Sequence, residues 1–219
     1  MTPKKWYVAL GDSITVGYSA VGRRGFVDRL ADRLSQQGHP INVYNAARKG
    51  MTSRLLVDQL AGSPYLHHLL YRANLITLCI GGNDLLYAYI RFFLSGDPSV
   101  YFQTVYHYEF RLRRIYSLIR SRSSAPLFTL NLYNPFPHSP SAVTWISAIN
   151  DRIEKISAGW SVPIIDLYHH FLGSEPFLIR GYRTGHLSDY RLFGSNPVHP
   201  NDRGHQLIAN ALWPWIVSD

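Results

Sequence analysis

Apolar runs and amphipathic stretches alternate along almost the whole chain, and this alternation limits the folds open to it more than any other feature. "WYVALGD" is a short apolar run closed by turn residues and reads as a buried strand. "RGFVDRLADRLSQQG" then places Phe26, Leu30 and Leu34 on one helical face, with Gly38 as its stop. The pattern repeats. "INVYNAA" is a strand and "TSRLLVDQLAGSPYLHHLLYRA" is helical, with an interruption at Gly62–Pro64. "LITLCIGG" is a strand apolar enough to be covered on both faces, and residues 84–123 are helical but broken at "SGDPS". "PLFTLNLYNP" is a fourth strand, and "AVTWISAINDRIEKISAG" is a helix built on Ile146, Ile149, Ile153 and Ile156. "VPIIDLY" is a fifth strand. An irregular stretch follows, and then a last helix, "PNDRGHQLIANALWPWIVSD", with Pro200 suited to its first turn. Strand and helix in regular alternation imply an α/β fold with a parallel sheet covered by helices on both sides. Ligands in such sheets bind beyond the carboxyl ends of the strands.

Composition narrows the class. At 219 residues with 46% hydrophobic residues, and with no repeat or change of composition along the way, residues 1–219 read as one domain. The single Cys79 excludes an internal disulfide framework and is read as a buried core thiol. The opening apolar run ends in Gly-Asp-Ser without a signal-cleavage pattern, and no stretch is long enough to span a membrane. The expectation is therefore a cytoplasmic protein without a transmembrane segment. Charge is basic, 22 Lys+Arg against 14 Asp+Glu, and densest in "FRLRRIYSLIRSR", where Arg113 and Arg120 share a helical face. A solvated face accounts for this run better than a polyanion site, and no nucleic-acid partner is expected. The histidine pairs His67-His68 and His169-His170 point in divergent directions, and no phosphate-binding glycine loop is present. Neither a metal nor a cofactor is expected.

The residues that follow the early strands carry the chemistry. Gly11-Asp12-Ser13 follows the first, "NAARKG" with Gly50 the second, and Gly81-Gly82-Asn83-Asp84 the third. All three fall on the same sheet edge. A hydroxyl nucleophile would there meet the donors that acyl transfer needs: the backbone N–H of Ser13, the backbone N–H of Gly50 and the side-chain amide of Asn83. Asp12 and Asp84 read as local braces.

The blocks "GDSITVGY", Gly50, "GGND" and "VHPNDRGH", in this order and over nearly the whole chain, resemble the GDSL, or SGNH, hydrolase family. The resemblance implies a three-layer α/β/α sandwich with a five-stranded parallel sheet of flavodoxin-like architecture. It further implies metal-free esterase or lipase chemistry through an acyl-enzyme on Ser13, with Gly50, Asn83 and His199 in the family's other named roles. Short or medium acyl esters are the expected substrates. The chain departs from the family three residues before His199, where Asn196 stands in place of the usual aspartate. Either Asn196 orients the imidazole, or Ser13 and His199 work as a dyad, or Asp166, Asp189 or Asp202 reaches in from elsewhere. "DLYH" sets Asp166 and His169 at the family's spacing and is a competing base–acid pair. The alternative to catalysis is an impaired hydrolase fold that binds anionic polymers on a basic face. The segment from Gly173 to Val198, with Phe177, Tyr182, Tyr190 and Phe193, is expected to shape the substrate cleft, and the aromatics of residues 85–110 read equally as helix packing faces or as a wall or cap over an acyl pocket.

Overall fold

The computed structural model describes residues 5–192 and 194–217; Phe193 and the last two residues of the final helical pattern lie outside them. Five strands, β1 (Lys5–Gly11), β2 (Ile41–Asn45), β3 (Leu75–Cys79), β4 (Leu127–Leu130) and β5 (Ile164–Ile165), form one parallel sheet in the order β2-β1-β3-β4-β5. The chain leaves β1 toward β2 on one side and returns past it to β3 on the other. The strand order therefore reverses between β1 and β3, where a doubly wound sheet opens its crevice.

Helices cover both faces because the central strands are apolar on both. In β1, Val8 and Leu10 join one core and Tyr7 and Ala9 the other, the period-2 alternation of a strand. β3 divides likewise, with Ile76 and Leu78 on the first face and Leu75 and Cys79 on the second. The first core is closed by α2 (Ser53–Gly62), α3 (Pro64–Tyr71), α5 (Ser99–Arg120) and α6 (Pro140–Gly159); the second by α1 (Phe26–Gln36), α7 (Leu167–Phe171), α8 (Glu175–Leu178) and α9 (Asp202–Val217). The remaining helix, α4 (Gly82–Ser95), starts two residues beyond Ile80 and ends at Gly96, whose φ of 69° breaks it from α5. The three-layer α/β/α sandwich and its five-stranded parallel sheet are as the sequence patterning and the family resemblance imply.

Three boundaries differ from the sequence pattern. The fifth strand stops at Ile165, because the Asp166 carboxylate caps α7 by accepting from the His169 N–H. The final helix begins at Asp202 and not in the "HPN" stretch. Asn201 Oδ1 accepts the N–H groups of Arg203 and Gly204, and Pro200 instead lies in a bridge with Ile179. His199 therefore sits before the helix and His205 within it. The segment read as irregular contains α8 and a short 3-10 turn at Leu187–Asp189.

Gly11 is the tightest backbone position at the sheet edge. A Cβ there would lie 2.3 Å from Thr15 Oγ1 and 2.4 Å from the Cys79 carbonyl oxygen, so only glycine lets β1 end against β3 while the chain coils back. Gly11→Ala is expected to cost about 1–3 kcal/mol of stability, read as a lowered urea midpoint with an unchanged slope.

Candidate functional site

Immediately after Gly11 the chain folds into consecutive turns: the Val16 N–H donates to the Asp12 carbonyl and the Tyr18 N–H to the Ser13 carbonyl, at 3.0 and 2.9 Å. Ser13 is buried here, and its Oγ lies 3.0 Å from His199 Nε2. The two residues are 186 positions apart, so the contact is made by the fold. Both line a cleft of about 710 Å³ at the carboxyl edge of the sheet.

Gly50 and Asn83 line the same cleft. Gly50 has φ +77°, a left-handed backbone that few side chains tolerate, and a Cβ would point toward the opening with only Tyr87 Oη near, at 3.9 Å. Asn83 lies in the first turn of α4, and its Nδ2 donates to the Met51 carbonyl at 3.0 Å and to Asp12 Oδ2 at 3.3 Å. Both partners are acceptors, which fixes the amide with its NH₂ inward.

The two aspartates beside these motifs are braces. Asp12 Oδ1 accepts from the Ile14 N–H at 2.9 Å, and burial, reinforced by the Asp84 charge, raises the Asp12 carboxyl to about 7. Asp84 accepts from Ser53 N–H at 2.9 Å and Ser53 Oγ at 2.6 Å, so it ties the start of α4 to the start of α2. Burial pushes its carboxyl upward, while the Ser53 bonds and Arg111 at 3.7 Å pull the other way.

Asn196 lines the cleft but turns its amide away from the imidazole. Its Oδ1 accepts from the Arg191 N–H at 2.7 Å and its Nδ2 donates to the Arg191 carbonyl at 2.8 Å, so both ends of the amide close the 191–196 loop. No described residue hydrogen-bonds His199 Nδ1. The carboxylates that spacing left open are engaged elsewhere. Asp166 holds Asn131 Nδ2 and its neighbour His169, an exposed pair outside the cleft lining. Asp189 accepts from Thr184 and Gly185. Asp202 binds Arg29 at 2.6 Å.

What holds the ring is aromatic. The Tyr18 ring lies 4.6 Å from the His199 ring at 57°, and Lys49 Nζ sits 4.5 Å over the other ring of this stack, that of Tyr18. Tyr18 is anchored in turn, since its carbonyl faces Nε2 of the buried His205 at 3.3 Å. The sequence patterning assigns no role to Tyr18, Lys49 or His205. The placement of Tyr18 inside "GDSITVGY", five residues after Ser13, was the available signal.

Burial, with the Lys49 ammonium and His205 adding to it, lowers His199 from an ordinary 6.5 to about 4. The imidazole is neutral above that pH, and Nε2 is free to take a proton from Ser13 Oγ. Apolar residues also line the cleft: Leu85, Leu86 and Tyr89 of α4, and Tyr101 stacked on Trp145 with centroids 4.6 Å apart. Tyr190, from the long segment before His199, packs edge-on against Tyr89 and also lines the cleft. The basic run of α5 is tied down locally: Arg113 pairs with Glu109 and Arg120 donates to the Ala125 carbonyl. Among the described residues no three His, Cys, Asp or Glu side chains gather as a metal site, and no helix is long and apolar enough to cross a membrane.

Comparison with known proteins matches residues 9–207 to the model of the GDSL-like Lipase/Acylhydrolase family. The chain is similar to a spore germination lipase of Bacillus licheniformis, 29% identical over 94% of this chain and 93% of that one. Among solved structures it is similar to a lipase from a goat rumen metagenome, with 26% identity, a TM-score of 0.80 and coverage of 96% and 97% of the two chains. An acetylxylan esterase from Geobacillus stearothermophilus shares the fold at 16% identity, with a TM-score of 0.72 over 100% and 98% of the chains.

The electrostatics of the imidazole can be measured directly. In an NMR titration His199 is expected to protonate near pH 4, and Lys49→Met is expected to move that midpoint upward by removing a like charge. A wild-type midpoint at or above 6.5 would contradict this account.

Proposed function

From the premise that the chain belongs to the GDSL-like lipase/acylhydrolase family, we propose that it is a serine carboxylic-ester hydrolase working through an acyl-enzyme on Ser13. The observation that carries the reading is the 3.0 Å approach of Ser13 Oγ to His199 Nε2 at the mouth of an apolar cleft. Neutral His199 accepts the Ser13 proton as Oγ attacks the ester carbonyl carbon. The negative charge that develops on the carbonyl oxygen is met by the Ser13 and Gly50 N–H groups and by Asn83 Nδ2, which exchanges its longer bond, 3.3 Å to Asp12, for the oxyanion. The imidazolium then protonates the departing alcohol. A water molecule, deprotonated by the same Nε2, releases the acid and restores Ser13.

The reading is a dyad. Asn196 spends both ends of its amide on Arg191, and the Tyr18 face supplies the orientation that an acid would otherwise give. A dyad forgoes the stabilisation of imidazolium by a carboxylate, which would otherwise offset the burial and the Lys49 and His205 charges that lower His199. The apolar wall from Leu85 to Trp145 supports a short or medium acyl chain.

Ser13→Ala and His199→Ala are each expected to lower kcat on a chromogenic acyl ester at least about a thousand-fold. Labelling by a fluorophosphonate should require Ser13. Full turnover in Ser13→Ala, or no labelling of the wild type, would overturn the proposal and favour a non-catalytic binding protein. Asn196→Ala separates the dyad from an Asn-assisted triad: the dyad loses less than about tenfold in kcat, whereas removal of a working orienter approaches the ~10⁴-fold loss known for a triad acid.

A further inference from the structure

α5 carries an exposed aromatic face that its packing does not account for. Phe102, Tyr106 and Phe110 follow one another at four-residue spacing on one side of the helix and are 68%, 73% and 70% exposed. The residues that α5 buries, Val105, Tyr108 and Leu112 among them, form a separate face turned into the first core. At the end of α4, just before the Gly96 break, Phe93 and Leu94 are exposed as well. This face adjoins the cleft. Phe102 packs edge-on against Trp145 with centroids 5.1 Å apart, and Trp145 and Tyr101 line the cleft. Phe92, the neighbour of Phe93, meets Tyr101 at 5.5 Å. Single exposed apolar residues are ordinary on a protein surface, but a group continuous with a ligand cleft is not.

The charge beside this face is positive. Residues 82–122 hold Arg91, Arg111, Arg113, Arg114, Arg120 and Arg122 against Asp84, Asp97 and Glu109. Each of these acids is engaged. Asp84 is held by Ser53 and Arg111, and Glu109 by Arg113 and Arg152. Asp97, which also feels the Arg91 charge, accepts from the Ser99 N–H and Oγ. Arg91 and Arg114 are exposed, and their side chains make no ion pair or hydrogen bond among the described residues. Arg114 stands four residues beyond Phe110 and continues the aromatic row, and Arg91 precedes Leu94 by three, so each cation shares a helical face with an exposed apolar side chain.

We infer that the exposed face of α4 and α5 docks the protein on an anionic lipid surface, with the aromatic side chains entering the headgroup layer and Arg91 and Arg114 meeting its negative charge. Rings and arginines on one helical face suit that boundary, where apolar area and cationic charge are both rewarded. A second copy seated on the same face would instead set these arginines against a patch that offers no free acid. Docked in this way, the protein turns the Tyr101–Trp145 edge of the cleft toward the lipid, and an acyl chain passes from the apolar layer to the cleft without crossing water. Docking needs no turnover and does not rest on the esterase reading.

The experiment floats the full chain with vesicles of diether phosphatidylglycerol or of zwitterionic diether phosphatidylcholine, lipids without an ester to cleave. At low salt, binding to the anionic vesicles should exceed binding to the zwitterionic ones about tenfold or more, and it should fall as salt is added. Arg91→Glu/Arg114→Glu should weaken it about tenfold or more, and so should Tyr106→Ser/Phe110→Ser. Circular dichroism reports that each variant is folded, and Arg91→Gln/Arg114→Gln serves as the milder form. Turnover of a water-soluble acyl ester should stay at the wild-type level in all of them. Absence of binding to either vesicle overturns the proposal, as does equal binding to both, or binding that survives both kinds of double substitution. A dimer in sedimentation that Tyr106→Ser/Phe110→Ser disperses, in a protein that ignores vesicles, gives the face to a second copy and overturns the lipid surface. If the wild type turns over no ester, the esterase reading falls and the vesicle result still decides the docking face.

Discussion

All five strands run parallel, so every strand delivers its following loop to the same edge of the sheet. The rest of the molecule depends on that constraint. The residues after β1, β2 and β3 need no long-range specification to converge, because the sheet register does it. Gly11 pairs with Cys79 across β1 and β3, and the turns holding Ser13 and Asn83 start within four residues of that pair. The hydrogen-bond web from Asn83 to Asp12 and Met51, and from Asp84 to Ser53, then locks the three loops to one another. His199 reaches them from the other end of the chain, brought in by α9, whose His205 holds the Tyr18 carbonyl.

The site is electrostatically lopsided. Burial, Lys49 and His205 all disfavour a charged His199, and no carboxylate among the described residues counters them. A base of this kind is available over a wide pH range but is weak, and its imidazolium is unstable.

Much of this was legible before any coordinates. The strand runs, the helical faces of Phe26-Leu30-Leu34 and Ile146-Ile149-Ile153-Ile156, and the breaks at Pro64 and Gly96 follow from periodicity and from turn chemistry, which act over a few residues. The boundaries that slipped are those where a side chain competes with the backbone: Asp166 ends β5 by capping α7, and Asn201 delays α9. In the basic run of α5, Arg113 and Arg120 are bound within their own neighbourhood.

The sequence alone determined the α/β class, the shared edge on which Ser13, Gly50 and Asn83 fall, and the oddity of Asn196, because each depends on local pattern or on residue identity. Only the tertiary structure decided where the Asn196 amide points and what faces His199. Those outcomes are set by competition among partners distant in sequence. Arg191 wins the amide of Asn196, Tyr18 wins the face of the imidazole, and Arg29 and Thr184 take the carboxylates that spacing had left available. Spacing along a chain can say that two groups are able to meet; which of several possible meetings occurs depends on packing in three dimensions.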